Sequence, residues 1–183
     1  MKNIKFIILF IAIIFYSCER DDICAEATAT TPRLIIRFYD INNQDDTKLV
    51  RQLEVIGLDE NDDPFSEIPI VSRANSDSIN LPLNFQEEVE TITRFQLVRD
   101  ADFADDTNTT TNSNIDIITV KYTPQFVYVS RACGYKSIFN LDDPLGITRD
   151  GVTAGDDDTW ITSFDITNYT IENENAAQII IYH

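Results

Sequence analysis

The stretch VETITRFQLVR, residues 89–99, sets Thr93, Phe95 and Leu97 against Ile92, Arg94 and Gln96 in alternation. A period of two places alternate side chains on opposite faces of an extended chain, so one face can be buried while the other meets water. Working outward, the same kind of run recurs. RLIIRFYDI (Arg33–Ile41) is β-rich, KLVRQLEVIGL (Lys48–Leu58) is less regular, and Glu67–Ser72 and Ser78–Leu83 hold Pro69 and Pro82, which suits edge strands or strand ends. DIITVKY (Asp116–Tyr122) and FVYVSRA (Phe126–Ala132) flank Thr123-Pro124-Gln125, which reads as the turn of a hairpin. Trp160–Ile171 and Gln178–Tyr182 follow. No helical periodicity is present after the first residues. About eight to nine strands at this spacing predict an all-β, antiparallel β-sandwich. Trp160 comes after Cys133, so the Cys…Trp…Cys order of immunoglobulin domains is missing and the likeness to that fold is architectural.

The N-terminus has a different character. Lys2 and Lys5 precede an apolar run, Phe6–Tyr16, which is shorter than the roughly 20 residues a spanning helix needs and matches the apolar region of a signal peptide. The run ends in Phe15-Tyr16-Ser17-Cys18 and turns polar at once. A cysteine at that place resembles a bacterial lipobox, although Phe15 and Tyr16 are bulkier than its usual residues. The reading divides the chain into a signal-peptide helix over residues 1–17, a lipid-anchor and tether segment over 18–30, and one β-sandwich domain over 31–183. An ordinary secretory signal with Cys18 a plain thiol is the alternative. Two or more acyl chains on Cys18 hold a protein stably on a membrane where one does not. Glu19, Arg20, Asp21 and Asp22 resemble the surface-export signal of Bacteroidota lipoproteins, which implies an outer-membrane protein facing the cell exterior; a periplasm-facing protein with a merely solvated tether is the alternative.

The chain carries 31 acids against 14 Lys and Arg, a formal net charge of −17, and removing residues 1–17 takes away lysines but no acid. Such a charge repels phosphate backbones, so no nucleic-acid partner is expected. With Cys18 lipidated, Cys24 and Cys133 remain, and an even pair in an oxidising compartment reads as a disulfide. Closing that loop would contribute about 4–5 kcal/mol through the unfolded chain's entropy. Two reduced, buried thiols are the alternative.

Little catalytic chemistry is on offer. His183 is the single histidine and the last residue, where a side chain is usually frayed, so no His-based triad and no catalytic residue is assigned. No zinc site and no resident cofactor is expected. Asp59-Glu60-Asn61-Asp62-Asp63 begins like a calcium loop but places Pro64 where glycine is needed and Ile70 where glutamate is needed. Asp100, Asp102, Asp105 and Asp106, or Asp156–Asp158, could give calcium an irregular oxygen site, although solvated loops explain them as well. Asp77-Ser78-Ile79 resembles the short O-glycosylation signal of Bacteroidota at Ser78, with a plain strand start as the alternative. Tyr122, Phe126, Tyr128 and Tyr135 would form a sugar-stacking platform if exposed, and core if not.

Four stretches, CERDDIC (Cys18–Cys24), TPRLIIRFYD (Thr31–Asp40), Leu81–Leu83 and SRACGYKSIF (Ser130–Phe139), resemble an uncharacterised lipoprotein family of Bacteroidota, a domain of unknown function. The resemblance implies an envelope location and no assigned activity. The expected role is a non-enzymatic binding or structural module at the membrane, with an envelope protein or glycan as partner. A carboxylate-dependent glycan hydrolase is the alternative, and it requires two acids about 5–10 Å apart across a cleft, one with a raised pKa.

Overall fold

The computed structural model describes Cys24 and residues 30–86, 88–101, 113–149 and 159–183. The signal-peptide helix, Cys18, Glu19, Arg20, Asp21 and Asp22 lie outside the described residues, as do Asp102, Asp105, Asp106 and Asp156–Asp158. Eleven strands are described: β1 (Leu34–Tyr39), β2 (Val50–Leu58), β3 (Val71–Ser76), β4 (Ser78–Leu81), β5 (Thr91–Arg99), β6 (Asn114–Ser130), β7 (Gly134–Leu141), β8 (Ile147–Arg149), β9 (Ser163–Ile166), β10 (Thr170–Ile171) and β11 (Ile179–Tyr182). They form a four-stranded sheet, β4-β1-β11-β9, and a larger one, β10-β7-β6-β5-β2-β3, with β8 also on β6. The class expected from the alternation, an all-β sandwich, is the one observed. The count exceeds eight to nine because β8 and β10 are three and two residues long, too short to carry a period.

Alternation builds the core. Leu34, Ile36 and Phe38 of β1 and Ile179 and Ile181 of β11 bury one side, and Phe95, Leu97, Ile118, Val120, Tyr122 and Phe139 bury the other. In β5, Thr93, Phe95 and Leu97 are inward as the sequence requires, and Ile92 is 53% exposed. The irregular β2 has a physical cause. Gln52 takes a positive φ of 43°, and the pairing with β3 shifts register between Val50 and Leu53, so two residues three apart both face inward. β3 and β4 are sheet edges, with Pro69 just before one and Pro82 just after the other. β1 and β11 pair in parallel, Ile36 against Ile179 through Tyr39 against Tyr182. The whole intervening chain is the crossover that a parallel pair demands.

Thr123-Pro124-Gln125 is not a turn. It lies inside β6, a single strand of 17 residues, with Pro124 opposite Phe139 of β7. A residue's N–H and C=O point to the same side of a strand, and the Pro124 carbonyl accepts from Glu88 N–H on the β5 side at 3.0 Å. The ladder between β5 and β6 has already ended at Thr91 and Tyr122, so no partner needs the N–H that proline lacks. The true hairpin turn is Arg131-Ala132-Cys133, closed by Gly134 at φ 70°. β7 and β8 follow one track along β6: Tyr122 faces Leu141, but Val120 faces Ile147, because Asp142–Gly146 loops out between them. Lys121 closes the base of that loop, donating to Gly146 O and accepting from Asp142 N–H, each at 3.0 Å. A Cβ on Gly146 would come within 2.8 Å of both Asp142 O and Leu141 Cβ, so only glycine fits.

The burial pattern predicts unequal losses along one sheet. Ile118→Ala, fully buried in β6, should lower stability by about 2–5 kcal/mol in urea unfolding. Ile92→Ala should change it by less than about 0.5 kcal/mol. Equal losses would contradict the assignment of faces.

Candidate functional site

The tip of the β6–β7 hairpin is tied to the N-terminal segment. Cys24 and Cys133 are joined by a disulfide with Cα atoms 4.8 Å apart, inside the range a bridge accepts. Ser130 Oγ receives Cys133 N–H at 3.0 Å, fixing the turn that presents the sulfur. The described segment before β1 lies beside β7. Ser137 N–H donates to Thr31 Oγ1 at 2.9 Å, and Arg33 forms a two-point ion pair with Glu174. The guanidinium of Arg33 holds the Glu174 carboxyl below its usual range.

The four aromatics of this hairpin divide between core and surface. Tyr122 is buried edge-to-face on Phe139, with its hydroxyl against Thr93 Oγ1 and Asn84 O, and burial pushes its phenol up. Phe126 is half-buried against exposed Phe85. Tyr128 and Tyr135 are 57% and 69% exposed, with ring centroids 5.4 Å apart. The progression follows one strand. Residues 122, 124, 126 and 128 share a face, and burial falls along it. A sequence period cannot report where a facing sheet ends.

A second feature is an open groove of about 850 Å³ where the β2–β3 and β4–β5 connections meet the start of β5. Phe65, Phe85 and Ile92 give it apolar walls, and Asp59, Glu90 and Arg94 give it charge. Two of its three acids, Asp59 and Glu90, are already engaged, and Glu60 is exposed. Asp59 Oδ1 accepts the N–H groups of Asn61 and Asp63, folding the D-x-N-x-D run onto itself, and Asp62 ion-pairs with Arg94. Glu90 lies 2.9 Å from Lys121 Nζ, which also reaches Asp142 at 3.2 Å. Hydrogen bonds to Glu90 and then Asp142 raise the lysine's pKa. Among the described residues no group of three or more His, Cys, Asp or Glu is arranged to hold a metal ion.

The other acids singled out by position have structural partners. Asp100 is nine-tenths buried and pairs with Arg51. Asp116 is buried and receives Trp160 and Ile161 N–H at 3.0 and 2.7 Å, which pins the chain before β9 onto β6. The backbone N–H of Asn42 lowers the pKa of Asp40. Ser78 opens edge strand β4, half-buried, its N–H on Ser76 Oγ.

His183 is not frayed. Its N–H donates to Tyr39 O at 3.1 Å, and its ring packs edge-on against Trp160 and Phe38 at 5.5 and 6.0 Å. The ring contacts are core aromatics, with Nε2 3.4 Å from Lys48 O. The signal was present in the sequence: Ile179, Ile181 and His183 share one period-two face.

These elements define an all-β sandwich with a disulfide-tied hairpin, and no catalytic constellation is assembled among the described residues. The chain belongs to a family of unknown function, DUF6452, which matches residues 52–183. That span runs from β2 to the last strand and leaves β1, Cys24 and Cys18 outside it. No curated protein and no solved structure matches the chain.

The setting of His183 predicts a pH dependence. Burial, the largest influence, lowers its pKa below the usual value near 6.5. The unfolded chain then binds the proton more tightly, so the ring's contribution is complete above pH about 6.5 and is lost as pH falls below it. Unfolding free energy measured at pH 7.5 and 5.5 should fall more for the native chain than for His183→Gln. Identical pH slopes would contradict the burial of a neutral imidazole.

Proposed function

We propose that this protein is a lipid-anchored lipoprotein of the bacterial outer membrane, carried on acylated Cys18, facing the cell exterior and acting as a non-enzymatic binding or structural module. The observation that carries the reading is the pairing of Cys24 with Cys133, six residues behind the lipobox cysteine. Disulfides persist in oxidising compartments, so the bond agrees with export. The N-terminal pattern of Lys2, Lys5, the apolar run and Cys18-Glu19-Arg20-Asp21-Asp22 supports an exported, anchored, surface-displayed chain, as in the lipoproteins of Bacteroidota that it resembles.

The binding reading draws on exposed apolar side chains, some of which gather at two features. Phe65, Phe85 and Ile92 border one groove, and Tyr128 and Tyr135 pair at one hairpin tip. A glycan or an envelope protein fits such surfaces. The hydrolase alternative is weaker. It needs a carboxyl with a raised pKa, whereas Asp40 and Glu174 are both lowered and the groove's Asp59 and Glu90 are occupied.

Metabolic labelling with a palmitate analogue should mark the protein, and Cys18→Ala should abolish the mark. Protease shaving of intact cells should remove the domain, and Ala at Arg20, Asp21 and Asp22 together should protect it. A labelled Cys18→Ala variant rejects the anchor, and unchanged shaving of the triple variant rejects the surface signal.

A further inference from the structure

We infer that the tip of the β6–β7 hairpin, with Tyr128 and Tyr135, rests in the phospholipid headgroup region of the leaflet that holds the anchor; this rests on the lipidation of Cys18 proposed above. The first argument is reach. Cys24 lies six positions after Cys18, a span of at most about 20 Å. Cys24 is bonded to Cys133 at the hairpin turn with Cα atoms 4.8 Å apart, so the turn is held within about 25 Å of the acylated residue. Tyr135 follows Cys133 by two residues, about 7 Å along a strand, and Tyr128 is paired directly opposite it. Among the described exposed aromatics, this pair sits on the hairpin bonded to Cys24.

The second argument is chemistry. Tyrosine is enriched at membrane interfaces because its ring is apolar and its hydroxyl is wet. Tyr128 and Tyr135 are 57% and 69% exposed and lean on each other, presenting one continuous ring surface. They lie on the face that closes the core further along β6, at the end where its burial has run out.

The third argument is charge. From Tyr122 to Leu141 the sequence holds Arg131 and Lys136 and no acid, in a chain with 31 acids. The hairpin therefore adds no negative charge of its own against an anionic lipid surface, and exposed Arg131 sits in its turn. The domain would stand with β6 running away from the bilayer and Asn114, where that strand begins, at its far end.

The test uses the lipidated protein purified from its own envelope and reconstituted on vesicles of phosphatidylcholine with one-fifth phosphatidylglycerol, compared with the full mature chain carrying Cys18→Ser in solution. Hydroxyl-radical footprinting should show oxidation of Tyr128 and Tyr135 reduced about fivefold on vesicles. Ile115, at the other end of β6, should be oxidised equally in both. A protein that floats with the vesicles while both tyrosines are oxidised at the solution rate overturns the orientation and leaves the anchor standing. A protein that does not float overturns the anchor and the orientation together. Protection of the tyrosines by soluble envelope polysaccharide but not by the vesicles would assign the pair to a glycan and overturn the membrane contact.

Discussion

One strand sets the geometry of this protein. β6 pairs with β5 over its first half and β7 over its second, with β8 filling the track beside Ile118, Thr119 and Val120. Its first half is sandwich core, where Ile118, Val120 and Tyr122 are closed by the second sheet. Its second half carries the same face to Phe126 and Tyr128, where burial falls away. A single unbroken ladder thus joins the core to the hairpin tip, and the register that buries Tyr122 also sets Tyr128 beside Tyr135. The continuity depends on Pro124 standing where β5 has already ended.

How much of this could be read from sequence depended on range. Alternation within β5 and β1 is a property of neighbouring residues, and it was legible. The cysteine pairing was legible by counting, once Cys18 was set aside. Pro124 was misread as a turn because its tolerance depends on the length of a neighbouring strand, which its own residues do not encode. Gly134, directly after Cys133, was the better turn signal. The parallel pairing of β1 with β11 brings together segments more than a hundred residues apart, and no local pattern announces it. Residue type gave Tyr122 and Tyr135 the same two readings; only the extent of the facing sheet separates them.

The acids illustrate the same limit. The composition offered many carboxylates and left their use open. In the fold they serve structure: Asp59 caps its own loop, Asp116 pins Trp160 and Ile161, Glu174 holds Arg33, and Glu90 with Asp142 flanks Lys121. Exposed apolar and aromatic side chains gather at the groove and at the hairpin tip that is bonded to Cys24.

The central claim is that one short segment carries both the anchor and the bridge. Mass spectrometry of the unreduced protein, extracted from the envelope and digested, tests it most directly. The account predicts that the mature chain begins at Cys18 with a diacylglyceryl thioether, and that the peptide holding Cys24 is covalently linked to the peptide holding Cys133. A chain that begins with an unmodified residue, or a Cys24 recovered as a free thiol, would contradict it.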